Sequence, residues 1–266
     1  MGGYGDLAIR MKRYEQAARH TLPPRQYAIA RIDGRNFHAW TRGCDKPFDY
    51  TLMDAFEATA RHVVEQMHGS VLAYHQSDEI SVVLQDFATH GTEPWLGGVV
   101  QKQASVAASM ATAHFNACWS LTHPEDPPST ATFDGRVFTI PTLDEAVNYL
   151  IWRQQDATRN SVNMAASAHF SHKSLHGMNS TQRQTRLRLE ADVDWDDYPT
   201  RAKRGTVTHR ESYTEDVTYT RKDTGALVTQ PNVTRSHVVT DQDPPTFTAQ
   251  AGRGYLTALL DVEAGS

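Results

Sequence analysis

The sequence predicts an α+β protein on the ferredoxin-like β-α-β-β-α-β plan, and three observations carry that prediction. An apolar run from Tyr27 to Ile32 ends in the carboxylate and glycine of Asp33-Gly34. Two further runs, Val71 to Tyr74 and Ile80 to Leu84, flank a polar turn at Ser77-Asp78-Glu79. A fourth run, Thr132 to Ile140, follows a long Ala/Ser-rich segment. Short apolar runs bounded by turn residues read as strands, and the segments between them carry a helical period. In this plan two central strands lie side by side and their ends share one site.

Taken in order, residues 4–20 have a loose helical period through Leu7, Ile9, Met11 and Tyr14, and Pro23-Pro24 stops it. After the first strand, residues 35–49 read as a loop dense in cations: Arg35, His38, Arg42 and Lys46. Pro47-Phe48-Asp49 then leads into a helix whose Leu52, Phe56, Ala60, Val63 and Met67 follow the helical period, with Gly69 ending it. Gly97-Gly98 opens the segment to Trp119, where Ala104, Ala107, Ala108 and Ala111 let a helix lie close to a sheet. A Pro-rich break at 123–128 precedes the fourth strand, and Pro141 starts a helix that continues to Ala168. Trp95 and Trp152 read as packing residues.

Beyond residue 170 the composition changes. Residues 171–210 carry eight Lys or Arg against five Asp or Glu, whereas residues 211–266 carry four against eight and ten threonines. The expected division is a catalytic domain over 1–170, a basic segment over 171–210 that completes it, and a β-rich, Thr-rich C-terminal extension over 211–266. Runs within that extension, cut by Gly and Pro, read as short strands or an extended tail.

Composition narrows the classes. A chain of 266 residues, 39% hydrophobic and 21% charged, buries a substantial core as an ordinary globular protein. A net charge of −5 excludes a general polycation, so any nucleic-acid contact must be local. Cys44 and Cys118 lack metal-ligand spacing and fit a reducing compartment. No run approaches the roughly 18 apolar residues of a membrane span, and no secretory signal pattern opens the chain. The expectation is a soluble, cytoplasmic protein with no membrane partner.

Chemistry is expected at the strand ends. Asp33 sits where a buried strand emerges, and Asp78 and Glu79 sit in the hairpin bend, so neighbouring strands bring the carboxylates together. Carboxylates so placed hold magnesium against phosphate oxygens, with two ions roughly 3.5–4 Å apart spanning the attacking and leaving oxygens. Asp33 and Asp78 suit bridging ligands, the Gly34 carbonyl a further ligand, and Glu79 added charge or an outer hydrogen bond. Arg35, His38, Lys46, Lys102 and Arg136 suit neutralisation of a departing pyrophosphate.

The motifs Arg31-Ile32-Asp33-Gly34-Arg35-Asn36-Phe37-His38, Lys46-Pro47, Tyr74-His75-Gln76-Ser77-Asp78-Glu79-Ile80-Ser81, Phe133-Asp134-Gly135-Arg136-Val137 and Trp152-Arg153-Gln154-Gln155-Asp156 together resemble the tRNA-His guanylyltransferase family. The likeness runs from about Tyr27 to Thr206. It implies a polymerase-type palm, two Mg2+ ions, ATP and GTP or other NTPs as substrates, and a homotetramer. Metal ligands carry over to Asp33, the Gly34 carbonyl and Asp78, with Glu79 beside them. Nucleotide contacts carry over to Arg35, Asn36, Phe37, His38, Lys46, Ser77, Lys102 and Arg136, and Asp156 and Asn160 match a later polar motif. Where the eukaryotic type has a His after that Asp motif, this chain has Thr158, which resembles the bacterial and archaeal guanylyltransferase-like branch. His172, Lys173, Lys203 and Arg204 lie in segments that also resemble that branch and are assigned to RNA or triphosphate contact.

The resemblance implies a magnesium-dependent nucleotidyltransferase that adds nucleotides in the 3'-to-5' direction to the 5' end of tRNA or a tRNA-like RNA, through an adenylylated 5' end. Templated 5'-end repair is the expected role, with G addition to tRNA-His as the family's other reaction. A palm-fold nucleotide cyclase or NTP hydrolase needs the same carboxylates, and a catalytically idle RNA-binding module needs none of them.

Overall fold

Alternation along the strands sorts apolar side chains onto two faces of one sheet, and each face is covered by its own helices. The computed structural model describes residues 4–124 and 129–261, so positions 125–128 of the expected Pro-rich break lie outside the described residues. The helices are α1 (Tyr4–Ala17), α2 (Phe37–Trp40), α3 (Tyr50–Gln66), α4 (Val100–Thr122), α5 (Leu143–His169), α6 (His172–Leu175), α7 (Ser180–Glu190), α8 (Thr200–Arg204) and α9 (Gln250–Leu260). The strands are β1 (Tyr27–Gly34), β2 (Ser70–Gln76), β3 (Glu79–Leu84), β4 (Phe133–Ile140), β5 (Thr206–Thr220) and β6 (Leu227–Asp241). Local signals set the helix starts: the Asp49 carboxylate accepts from the Leu52 amide to cap α3, and the Thr142 hydroxyl accepts from the Glu145 amide to cap α5.

The sheet order is β4-β1-β3-β2-β5-β6, with every pairing antiparallel. Its first four strands, crossed by α3 and α4, form the ferredoxin-like unit that the sequence predicts. Ile32, Ile80 and Val82 face α3 and α4 through Phe56, Val63, Ala111 and Phe115. Tyr27, Ile29, Leu72 and Val83 face α5 and α9 through Leu150, Leu256 and Leu260. The small residues of α4 bring it almost into backbone contact with β4: a Cβ on Gly135 would lie 2.4 Å from the Ala104 carbonyl oxygen. Lys102 lies in the first turn of this helix and is exposed.

The C-terminal segment differs from a short-stranded tail. β5 and β6 form one hairpin, in which Thr206 to His209 pair with β2 and the remainder projects beyond the sheet. Pro231 reads as a break, but a bulge absorbs it: the register shifts between Glu215 and Val217, Asn232 takes a left-handed conformation (φ 54°), and its amide donates to Asp216. Beyond the hairpin, Phe247, Leu256 and Leu260 are fully buried. At about 2 kcal/mol for each such side chain, α9 and its approach belong to the core.

Candidate active site

β1 and β3 run side by side with Asp33 opposite Glu79, and β4 places Asp134 on the other flank of Asp33. The β2–β3 turn closes with Ser77 in the left-handed region (φ 51°), and the Gly34 amide donates to the Asp78 carbonyl at 3.0 Å. Asp33, Gly34 and Asp78 therefore meet at one end of the sheet. Glycine is required at 34 because a Cβ there would fall 2.3 Å from the buried Phe37 ring.

The three acidic side chains have different surroundings. Burial raises the Asp78 carboxyl, and the neighbouring charge of Asp33 raises it further, while the Ser77 hydroxyl at 3.1 Å opposes both. Asp33 is partly exposed and meets Arg31 at 3.3 Å and Arg136 at 3.5 Å. Glu79 is buried: Arg153 grips it through two bonds of 2.7 Å, Arg31 approaches at 2.5 Å, and the Ser81 hydroxyl donates at 3.1 Å. Burial raises its carboxyl despite both guanidiniums. Glu79 thus anchors the cations around Asp33, with its oxygens already engaged.

Arg31 and Arg153 are site residues that the sequence reading leaves without a role. The signal for Arg153 is its i,i+3 pairing with Asp156 on α5, at 2.9 Å. Asp156 is further held by Arg159 and by Asn160 at 3.4 Å.

A cavity of about 530 Å3 opens beside the carboxylates. Of the expected residues, Gly34, Asn36, Phe37, His38, Lys46, Ser77, Asp78 and Asn160 line it. Asp33, Glu79, Arg136 and Asp156 stand in the adjoining charge network, and Arg35 and Lys102 are exposed at the strand end and on α4. His172 and Lys173 sit exposed on α6, away from the cavity lining.

The basic segment requires a correction. Lys203 is buried, with its ammonium donating to the Asp196 carbonyl and lying 5.3 Å from the Trp195 ring centroid, so it is unsuited to reach a phosphate. Arg204 is half-buried and its carbonyl accepts from the Tyr74 hydroxyl. Arg183, Arg186, Arg188, Arg201 and Arg210 bond backbone carbonyls or carboxylates within the fold. Among the described residues, Lys173 is the one cation of the eight that makes no hydrogen bond or ion pair; formal charge therefore overstates what the segment presents to a polyanion.

Sequence reasoning also passes over His75. It lines the cavity, stacks on Phe56 at 5.1 Å, and donates from Nε2 to the Ser77 carbonyl at 3.0 Å, which fixes the turn. Burial lowers its pKa from 6.5 to about 4. The unfolded chain therefore binds more protons between those values, and stability falls as pH drops from 6.5 to 4, by about 3 kcal/mol. Denaturant titrations of His75→Gln across that window are expected to show a flatter pH profile than the parent protein; identical slopes would assign the acid sensitivity elsewhere.

The donors available for a metal are the Asp33 and Asp78 carboxylates and the Gly34 carbonyl. Among the described residues no three His, Cys, Asp or Glu side chains converge to hold an ion by themselves. Two hard carboxylates, one raised by burial and by the other's charge, fit Mg2+ that completes its shell with phosphate oxygens.

Comparison with known proteins gives one consistent family. The sequence model described as tRNAHis guanylyltransferase matches residues 8–141. A bacterial tRNA(HIS) guanylyltransferase (Thg1)-like protein in complex with ATP is similar with a TM-score of 0.82 and 40% identity, covering 95% of this chain and 98% of that one. Another such structure in complex with GTP gives a TM-score of 0.75 and 36% identity, covering 96% and 100%. The tRNA(His) guanylyltransferase of Candida glabrata is 29% identical over 203 residues, which is 70% of this chain and 84% of that protein.

Proposed function

The chain belongs to the tRNA(His) guanylyltransferase family of nucleotidyltransferases, and from that premise we propose that it repairs the 5' end of tRNA or a tRNA-like RNA by templated addition in the 3'-to-5' direction. The observation that carries this reading is the meeting of Asp33, Gly34 and Asp78 at the β1/β3 end, beside a cavity lined by Asn36, His38, Lys46 and Ser77. Two Mg2+ ions held by Asp33, Asp78 and the Gly34 carbonyl would supply charge neutralisation for the phosphates.

In the first step a 5'-phosphate oxygen of the RNA bonds to the α-phosphorus of ATP and pyrophosphate leaves. In the second, the 3'-hydroxyl of an incoming nucleotide bonds to the RNA 5' phosphorus, AMP leaves, and the chain is one nucleotide longer. Lys46, His38 and Arg35 are assigned to take up charge on a departing pyrophosphate, together with Lys102 of α4 and Arg136 of β4. Glu79 keeps Arg31 in position beside Asp33 and ties Arg153 of α5 to the same strand end. Asn160 lines the cavity from α5 with Asp156 beside it, and Lys173 and the neighbouring His172 are left as this segment's exposed contacts for RNA.

We also place the protein in the cytoplasm as a homotetramer. No described helix is long and apolar enough to cross a membrane. An isolated two-stranded ribbon is marginal in water, and α1 exposes Leu7, Met11 and Tyr14 along one face; a second copy would cover both.

The test uses 5'-monophosphorylated tRNA lacking its first nucleotide, ATP, and each labelled NTP in turn. Incorporation only of the nucleotide complementary to the opposing 3' strand, dependent on magnesium, is expected. Pyrophosphate release from free NTP without incorporation would replace this reading with a cyclase or hydrolase.

A further inference from the structure

We propose that Trp152 is a nucleobase-stacking platform, serving a second base beside the one that the large cavity accommodates; the inference rests on the nucleotidyltransferase reading above. An indole that packs a core is buried, as Trp95 and Trp195 are, yet Trp152 is 52% exposed on α5. Exposure contradicts the packing role expected from the sequence. The ring is nevertheless fixed. The Arg153 guanidinium lies 4.4 Å from its centroid, and the Tyr149 ring meets it edge-on at 5.9 Å. Arg153 cannot drift, because Glu79 holds it bidentately and Asp156 holds it at 2.9 Å. Tyr149 is likewise fixed by its hydroxyl contact to Ser81 at 2.8 Å.

Position gives this fixed, open ring its chemistry. Arg153 links it to Glu79, the register partner of Asp33, so the indole stands on the α5 side of that metal-binding carboxylate. Arg136, 54% exposed, flanks the same carboxylate and can meet a phosphate while a base lies on the ring. Along α5, Trp152, Asp156 and Arg159 follow the i, i+4, i+7 spacing of one helix face, with Arg159 also exposed. An aromatic face interleaved with cations is the composition that holds a base and its phosphate together. Trp152 is not part of the cavity that Lys46 and Ser77 line. The reaction brings two nucleotidyl groups together, the RNA end and the incoming nucleotide, so a second platform has a use.

The stacked base is either the first base of the RNA or that of a free NTP, and the experiment separates the two. Trp152→Phe keeps an aromatic face, and Trp152→Leu keeps apolar bulk without one; both are checked by thermal unfolding before use. RNA affinity is measured by anisotropy on tRNA lacking its first nucleotide, with 2-aminopurine at the exposed 5' end, and nucleotide affinity as KM for the templated NTP. Stacking on the indole predicts quenched 2-aminopurine in the parent and the Phe variant, relief of quenching in the Leu variant, and an RNA Kd about tenfold higher for Leu than for Phe. The same Phe–Leu split in KM for the NTP alone would assign the platform to the incoming base. Equal behaviour of both variants in every readout, with the parent enzyme active, would overturn the platform while leaving the nucleotidyltransferase assignment intact. A parent enzyme that incorporates nothing would instead remove the premise.

Discussion

Replacing either Asp33 or Asp78 by alanine is expected to abolish nucleotide incorporation, by about 10^3-fold or more, with the fold retained. Ligands of a catalytic ion act on charge developing at phosphorus, where several kcal/mol of stabilisation are at stake and each 1.36 kcal/mol is about tenfold in rate. Neither carboxylate is a structural keystone. The Asp78 side chain bonds only locally, to the Ser77 hydroxyl and to its own backbone, and burial and the nearby Asp33 charge both disfavour its ionised form. Its removal relieves a repulsion. Arg31, which Asp33 leaves behind, still has Glu79 at 2.5 Å. Thermal unfolding of both variants is therefore expected to stay near that of the parent while the tRNA extension assay goes blank. Near-normal turnover in both would remove these carboxylates from the chemistry.

These two residues were legible in the sequence for reasons of local geometry. Asp33 ends an apolar run and Asp78 sits in a two-strand turn; strand pairing alone then brings them to one edge. The same local reasoning gave the sheet unit, because the periods of α3 and α4 and of the four strands are set by residues that each face one core. It failed where the answer lay in a contact that only the folded chain makes, near in sequence or far. Lys203 looks like a phosphate contact until Asp196 and Trp195 are seen around it. Arg201 looks free until Asp54 and Glu57 on α3 are found to bind it. Trp152 looks like a packing residue because it follows the apolar Leu150-Ile151 pair, and the exposed stripe becomes visible only once the sheet fixes which face of α5 is covered. The β5–β6 hairpin was obscured by Pro231, whose missing donor a bulge conceals.

The interior position of Glu79 makes Arg153 the residue on which the stability of the site depends most. Truncating one partner of a buried pair leaves an uncompensated charge, so Arg153→Ala is expected to destabilise the protein by about 3–5 kcal/mol. Glu79 would retain Arg31 and the Ser81 hydroxyl, but the bidentate grip would be gone, as would the support beneath Trp152. The deficit carries a pH signature. The folded-state carboxyl already lies above its ordinary 4.5 and would rise further without the guanidinium. A raised acid is penalised fully above its folded pKa and relieved as pH falls toward the unfolded value. The gap between Arg153→Ala and the parent should therefore narrow on acidification, and measuring it as a difference cancels the titration of His75. Adding Glu79→Gln to Arg153→Ala removes the orphaned charge and should recover part of the loss at neutral pH. A single-variant loss below about 1 kcal/mol, with no narrowing on acidification, would mean that water reaches Glu79 and that the pair behaves as a surface contact.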